Sequence, residues 1–196
     1  MTNIKIILAS GSPRRKELLA QAGYDFDVCP SLSDEDLEPM APSEYVMLLA
    51  KKKADEVCNR IIAQDVVRRV KKLPERFVVL GADTVVSLNG RILGKPYDYD
   101  DAYNTLNSLS DQTHQVYTGV CLIYVNGRAK SSSSFYEKTD VTFYPVSHDE
   151  IIQYLATNEP FDKAGSYGIQ GKGGLFVKGM PLARVYHELE ELVSEE

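Results

Sequence analysis

The chain is poor in the residues that build redox and zinc sites, with three cysteines and three histidines in 196 residues. Cys29, Cys58 and Cys121 show no C-x-x-C spacing, so buried free thiols in a reducing compartment are expected. His114, His148 and His187 stand apart without H-x-x-x-H or H-E-x-x-H spacing, which argues against a zinc centre. No apolar run approaches a membrane span and no signal-peptide core opens the chain, so a cytoplasmic protein with no membrane partner is expected. Positive charge is also short: 22 Lys and Arg against 28 Asp and Glu give a net charge of -6. Such a chain repels polyanions at long range, which excludes a large nucleic-acid interface while leaving room for a small phosphate site. There is no internal repeat, no G-x-x-x-x-G-K-[ST] and no G-x-G-x-x-G between a strand and a helix, so Walker and Rossmann readings are poor.

What is present is an ordinary globular composition, 43% hydrophobic and 26% charged, long enough for one domain over residues 1–196 with two lobes around a cleft. "IKIILA" reads as a buried strand, followed by Ser12 as N-cap and Pro13 at the first position of a helix that stops at Gly23. "YDFDV" alternates as a strand, and "SLSDEDLEPMAP" is an acidic loop. A long helix from about Ser43 carries Val46, Leu49, Ala50, Lys53, Ala54, Val57 and Ile61 at helical spacing, with a basic tail ending at Pro74. "FVVLGAD" is a strand ending at Asp83; "TVVSLNGRIL" is a hairpin turning at Asn89-Gly90. "DYDDAYNTLNSL" is a helix, and a longer hairpin turns at Asn126-Gly127. Ser147 and Glu150 form a capping box, "NEPFDKAGSYGIQGKGGLFVKG" is a long glycine-rich loop, and Pro181 opens a last helix. Helices alternating with strands and long hairpins give an α/β fold with a mixed sheet flanked by helices.

The one basic cluster with a telling position is Arg14-Arg15-Lys16, at the turn from first strand to first helix. A helix N-terminus already attracts anions, so adding arginines there makes sense if a phosphate sits between them. The competing reading is that both arginines are solvated or pair with the acidic "SDEDLE" loop. Asp83 closes an apolar run where catalytic groups commonly sit, or it simply starts a turn. Lys95, in "LGKP", follows the hairpin and is expected near Asp83. Lys53 lies in the apolar stripe of its helix, a position from which a lysine usually snorkels to solvent. The last loop sets glycines beside Asp162, Lys163 and Gln170, either to admit a ligand or only to turn.

Six stretches then line up in order: "LASGSPRRKELL", "LAKKKA", "GADTVV", "LGKP", "LSDQTHQVYTGV" and "DKAGSYGIQGKGGLFVK". Together they resemble the Maf family of nucleoside triphosphate pyrophosphatases from residue 4 to about 190. The resemblance implies an elongated α/β domain with a strongly curved mixed sheet and an active cleft between two lobes. It implies hydrolysis of a nucleoside triphosphate to monophosphate and pyrophosphate, with Asp83 as catalytic proton acceptor. Ser10, Arg14 and Arg15 match the phosphate-binding start, Lys53 and Lys95 the lysines facing the triphosphate, and Glu35 an acidic site residue. Thr84 and Gln170, with Arg14, fall where the family's branches differ and resemble the branch that prefers dTTP and UTP. A divalent cation is implied, Mg²⁺ first with Mn²⁺ or Co²⁺ as alternatives, held by Asp83 and Glu35, and a homodimer is a further implication. In relatives a Gly-Asp-Tyr-Tyr-like segment follows "GGLFVK"; here "FVK" passes almost directly to "GMPL", so either the rim is shorter or a loop is left out of this sequence. The rival from another class is a non-catalytic nucleotide-binding regulator of cell division, against which Asp83, Lys53 and Lys95 together argue.

Overall fold

Strand β1 (Lys5–Leu8) is four apolar-rich residues flanked in the sheet by β2 (Phe26–Val28) and β3 (Arg76–Leu88), both parallel to it. The remaining strands are β4 (Arg91–Leu93), β5 (Thr113–Asn126), β6 (Ala129–Phe143) and β7 (Val177–Gly179). Among the described residues they make a seven-stranded sheet in the order β2-β1-β3-β5-β6-β7, with β4 antiparallel on β3 and β7 antiparallel on β6. Parallel and antiparallel pairs coexist, as the alternation of helices and hairpins predicts. The helices are α1 (Pro13–Gln21), α2 (Pro42–Ile62), α3 (Tyr99–Leu109) and α4 (His148–Leu155). This is a computed structural model that describes residues 4–35, 37–63 and 74–179; the basic tail at 64–73 and the helix expected from Pro181 lie outside them.

The chain divides into two compact units, one holding the chain up to Asp83 together with Thr118–Tyr136, the other Thr84–Tyr117 and the chain from Glu137. In the first unit, one apolar face of α2 (Ala50, Ala54, Val57, Cys58, Ile61) packs on Ile7, Phe77, Val79, Cys121, Ile123 and Val125 of the strands. Two glycines bring helix and sheet unusually close. A Cβ on Gly81 of β3 would collide with the Ala50 carbonyl, and one on Gly119 of β5 with the Val46 backbone. Cys29, Cys58 and Cys121 are buried free thiols in this unit, as the spacing suggested.

The second unit packs α3 and α4 around Phe143, Tyr154, Tyr167 and Phe176, rings that meet edge to face or tilted. The capping box of α4 is present: Ser147 Oγ accepts from Glu150 N and the Glu150 carboxylate accepts from Ser147 N. Asp98 caps α3 by accepting from Asp101 N at 2.8 Å. The long glycine-rich loop is not irregular throughout: three short 3-10 turns at Glu159–Asp162, Ala164–Ser166 and Lys172–Phe176 lead into β7. No helix among the described residues is long and apolar enough to cross a membrane.

Two sequence expectations need correction. Asp83 does not end a strand; β3 runs unbroken for 13 residues through it. Both faces of β3 are covered around that point, with Gly81, Ala82, Asp83, Val85, Val86 and Ser87 all buried, so no periodicity marks a break there. Ser12 occupies the N-cap position of α1, but its side chain makes no capping bond. The nearby serine that organises this turn is Ser10.

Candidate active site

The first unit gathers five of the expected residues. The β1 ladder with β3 runs from Lys5–Phe77 to Leu8–Leu80, and Ala9 N adds a bond to the Leu80 carbonyl. The chain then turns at Ser10 into α1. Ser10 is buried, and its Oγ accepts from Ser12 N at 3.2 Å and from Arg15 Nη1 at 3.0 Å. The serine thus folds the turn back and steers the Arg15 guanidinium. Asp83 stands three residues beyond Leu80 on β3, on the same face as Gly81.

Because Gly81 and Gly119 let α2 settle onto the sheet, Lys53 reaches Asp83. Its Nζ donates to Asp83 Oδ1 at 2.5 Å and pairs with Glu35 Oε1 at 2.7 Å. The Lys53 and Asp83 side chains are only 9% and 12% exposed, whereas Glu35 is 59% exposed. Lys53 therefore does not snorkel. It is a buried cation shared by two carboxylates, one from a strand and one from the acidic loop. Burial lowers the tendency of Arg15 to stay protonated, and the nearby Asp83 and Glu35 charges oppose that effect. Arg14 Nη1 lies 3.6 Å from Glu17 Oε2 one turn along α1. Of the two readings for this basic turn, the structure keeps a part of each: Arg15 sits in the field of the acidic loop, beside a buried serine and two carboxylates.

A buried ion pair is weak evidence of stability, because desolvation consumes much of the Coulomb gain. An Arg, a Lys and two carboxylates held within one small space are better explained by chemistry than by folding. Among the described residues no group of three His, Cys, Asp or Glu side chains is arranged to hold a metal ion. Asp83 and Glu35 offer two hard oxygen donors converging on one cationic atom, the donor type that a divalent cation would take.

The second unit carries Thr84, Lys95, Asp162, Lys163 and Gln170. Lys95 is exposed just after β4, where the Gly94 carbonyl accepts from Gly165 N at 3.0 Å. Lys163 Nζ donates to Asp162 Oδ1 at 2.6 Å and to the Glu159 carbonyl at 2.9 Å. The Lys163 bond holds the Asp162 carboxyl below its usual range against a smaller effect of burial, with Lys95 adding attraction. Gln170 is exposed at the corner of a turn closed by Gly171 N donating to the Gly168 carbonyl at 3.1 Å. The sequence reading passed over Glu159 and Tyr154, which bind this loop to α4. The sequence signal that bears on them is the row of glycines at 168, 171 and 173 after the acidic residues Glu159 and Asp162.

The fold and this charged centre define a mixed α/β protein with a buried lysine–carboxylate pair beside a serine–arginine turn. The sequence profile of the family described as "Maf-like protein" matches residues 5–192. A protein of Agathobacter rectalis named dTTP/UTP pyrophosphatase is 43% identical over 199 residues, covering 96% of this chain and 97% of that one. Proteins of the same name from Bacillus cereus and Carboxydothermus hydrogenoformans are 44% and 42% identical over 198 residues each, covering 95% and 96% of this chain and 95% and 98% of theirs. The chain belongs to the Maf-like protein family.

Proposed function

We propose that this protein is a cytoplasmic hydrolase that converts dTTP and UTP to the nucleoside monophosphate and pyrophosphate. The observation that carries this reading is the Lys53–Asp83 pair, buried beside Arg15 and shared with Glu35. The full-length likeness to relatives named dTTP/UTP pyrophosphatase supports the substrate class.

A triphosphate brings about four negative charges that must be offset before a nucleophile approaches. Arg14, Arg15, Lys53 and Lys95 supply the positive charge, and Ser10 keeps the Arg15 guanidinium in place. Asp83, its Oδ1 held by Lys53, uses its other carboxylate oxygen to take the proton of a water that attacks the α-phosphorus. The bond from that phosphorus to the bridging oxygen breaks and pyrophosphate leaves. Asp83 and Glu35 are the residues that would hold a divalent cation, Mg²⁺ first with Mn²⁺ or Co²⁺ meeting the same donors. When bound, such an ion polarises phosphoryl oxygens and offsets their charge. Thr84, Asp162, Lys163 and Gln170 are the remaining substrate-binding residues of this reading, and the Gln170 amide offers one donor and one acceptor that suit the imide edge of thymine or uracil. The active form is a homodimer, which light scattering on the eluted protein would reveal.

The test is Asp83→Asn, which keeps the side chain's shape and removes its basicity. The variant should retain the wild-type circular dichroism spectrum and lose at least about a hundredfold in turnover of dTTP. Turnover near wild type would remove Asp83 from the role of base.

A further inference from the structure

The acidic loop that brings Glu35 to Lys53 has no apolar anchor of its own. From Pro30 to Glu35 no side chain is buried, and Leu32 is 79% exposed. Hydrophobic burial therefore does not order this stretch, and polar contacts must. They come from one stripe of α2. Arg60 Nη2 donates to the Pro30 carbonyl at 2.7 Å and lies 3.4 Å from Cys29 Sγ. Leu32 N donates to Glu56 Oε2 at 3.1 Å, and the other Glu56 oxygen lies 3.2 Å from Arg60 Nε. Lys53 Nζ pairs with Glu35 Oε1 at 2.7 Å, and Tyr45 Oη donates to the Glu35 carbonyl at 3.2 Å. Inside the loop, Ser33 N donates to Ser31 Oγ at 3.1 Å.

At helical pitch, positions 45, 53, 56 and 60 fall within about 80° of one another around α2. The loop runs against the helix direction: Pro30 meets Arg60, Leu32 meets Glu56 and Glu35 meets Lys53. From Arg60 to Lys53 the helix rises about 10 Å, a span that the loop from Pro30 to Glu35 covers without full extension. The root of the loop is fixed as well, since Cys29 N donates to the Leu8 carbonyl at 3.0 Å at the end of β1. Arg60 and Glu56 are partly buried, and their bonds to the loop land on backbone atoms. Such bonds fix where the chain runs, whichever side chains it carries. Without them Glu35, exposed and at the far end of the loop, would pair with Lys53 as loosely as a surface carboxylate.

We infer that Arg60 and Glu56 are positioning residues that hold the loop from Pro30 to Glu35 along α2 and thereby keep the Glu35 carboxylate on Lys53, beside Asp83. The inference rests on the proposed reading of this centre as the site of triphosphate hydrolysis. Its test is a double-variant cycle of Arg60→Leu, Glu35→Gln and the pair. The cycle is read in kcat/KM for dTTP and, without turnover, in Mn²⁺ affinity from the electron paramagnetic resonance signal of the free ion. Amide hydrogen exchange over residues 31–35 reports the loop itself.

Arg60→Leu should speed exchange over residues 31–35 and leave exchange over α2 as in the wild type. It should lower kcat/KM and Mn²⁺ affinity by roughly tenfold, the low end for a group that orients a ligand from behind. In the Glu35→Gln background the same change should lower them by less than about twofold, because the group it positions is already gone. Arg60→Lys keeps a donor for the Pro30 carbonyl and should recover part of the loss. Glu56→Ala releases Leu32 N and should reproduce the Arg60→Leu result through the other anchor. Equal losses with and without Glu35 would make Arg60 a structural residue and overturn the inference. Unchanged exchange in both Arg60→Leu and Glu56→Ala would overturn it too. If the wild type binds Mn²⁺ but does not hydrolyse dTTP, the hydrolase reading alone fails and the cycle in Mn²⁺ affinity still decides. If it does neither, both readings fall.

Discussion

Lys53→Met is the substitution that separates a structural lysine from a chemical one. Methionine fills the same volume and suits a helix, so the change removes the ammonium and little else. It leaves the Asp83 carboxylate buried with no direct partner, and removing one member of a buried pair costs about 3–5 kcal/mol. The lower end applies here, since Asp83 retains the attraction of Arg15. The Glu35 contact adds little, because at 59% side-chain exposure it behaves as a surface pair worth under about 1 kcal/mol. The expected loss is therefore about 3 kcal/mol in urea unfolding. Asp83→Asn in the same background removes the orphaned charge, so the double variant should recover part of the loss, with a coupling of about 2 kcal/mol. Additivity within about 0.5 kcal/mol would show that ammonium and carboxylate do not compensate each other and would refute this reasoning. Activity is read on the same three proteins. Each single variant should lose at least about a hundredfold in kcat/KM for dTTP, and the double should be little worse than the weaker single, as groups acting as a unit behave. An unchanged kcat/KM in Lys53→Met would confine Lys53 to the fold.

Three further outcomes follow from the same structure. Gly81→Ala places a methyl group against the Ala50 carbonyl and must push α2 off the sheet, so it should destabilise by about 3 kcal/mol and part Lys53 from Asp83, with loss of turnover. His114 is fully buried, its Nε2 2.7 Å from Tyr167 Oη, and burial lowers its pKa from 6.5 to about 4. Between those values the unfolded chain binds a proton that the folded one refuses, so stability should fall by about 3 kcal/mol on acidifying from above pH 6.5 to pH 4. In His114→Gln that slope should flatten, and an unchanged slope would remove His114 as its source. Ser147→Ala removes the cap of α4 and should cost about 1 kcal/mol in urea unfolding with kcat/KM unaltered, whereas a drop in kcat/KM would tie the cap to the site.

Local signals served well where one residue decides a local structure. The Asn89-Gly90 and Asn126-Gly127 turns, the Ser147–Glu150 box and the stop of α1 at Gly23 stand where the sequence puts them. Asp83 and Lys53 were legible as polar residues in apolar surroundings, but their contact was not. It depends on two glycines, on β3 and β5, that lie 38 residues apart and each meet α2. Burial on both faces hid the continuity of β3, since neither alternation nor a turn residue marks its path through Asp83. Ser12 carried the cap signature and lost the role, because Ser10 Oγ takes the Ser12 N–H and the Arg15 guanidinium instead. Glu159 went unnoticed because a carboxylate among glycines reads as a surface loop until its three hydrogen-bond donors are seen.

The most direct test of the central claim is hydrolysis of dTTP and UTP with Mg²⁺ in ¹⁸O-labelled water, with both products resolved by mass spectrometry. Nucleoside monophosphate carrying the label, with unlabelled pyrophosphate, is the predicted result and places water attack on the α-phosphorus. Labelled inorganic phosphate with nucleoside diphosphate, or labelled pyrophosphate, would contradict it.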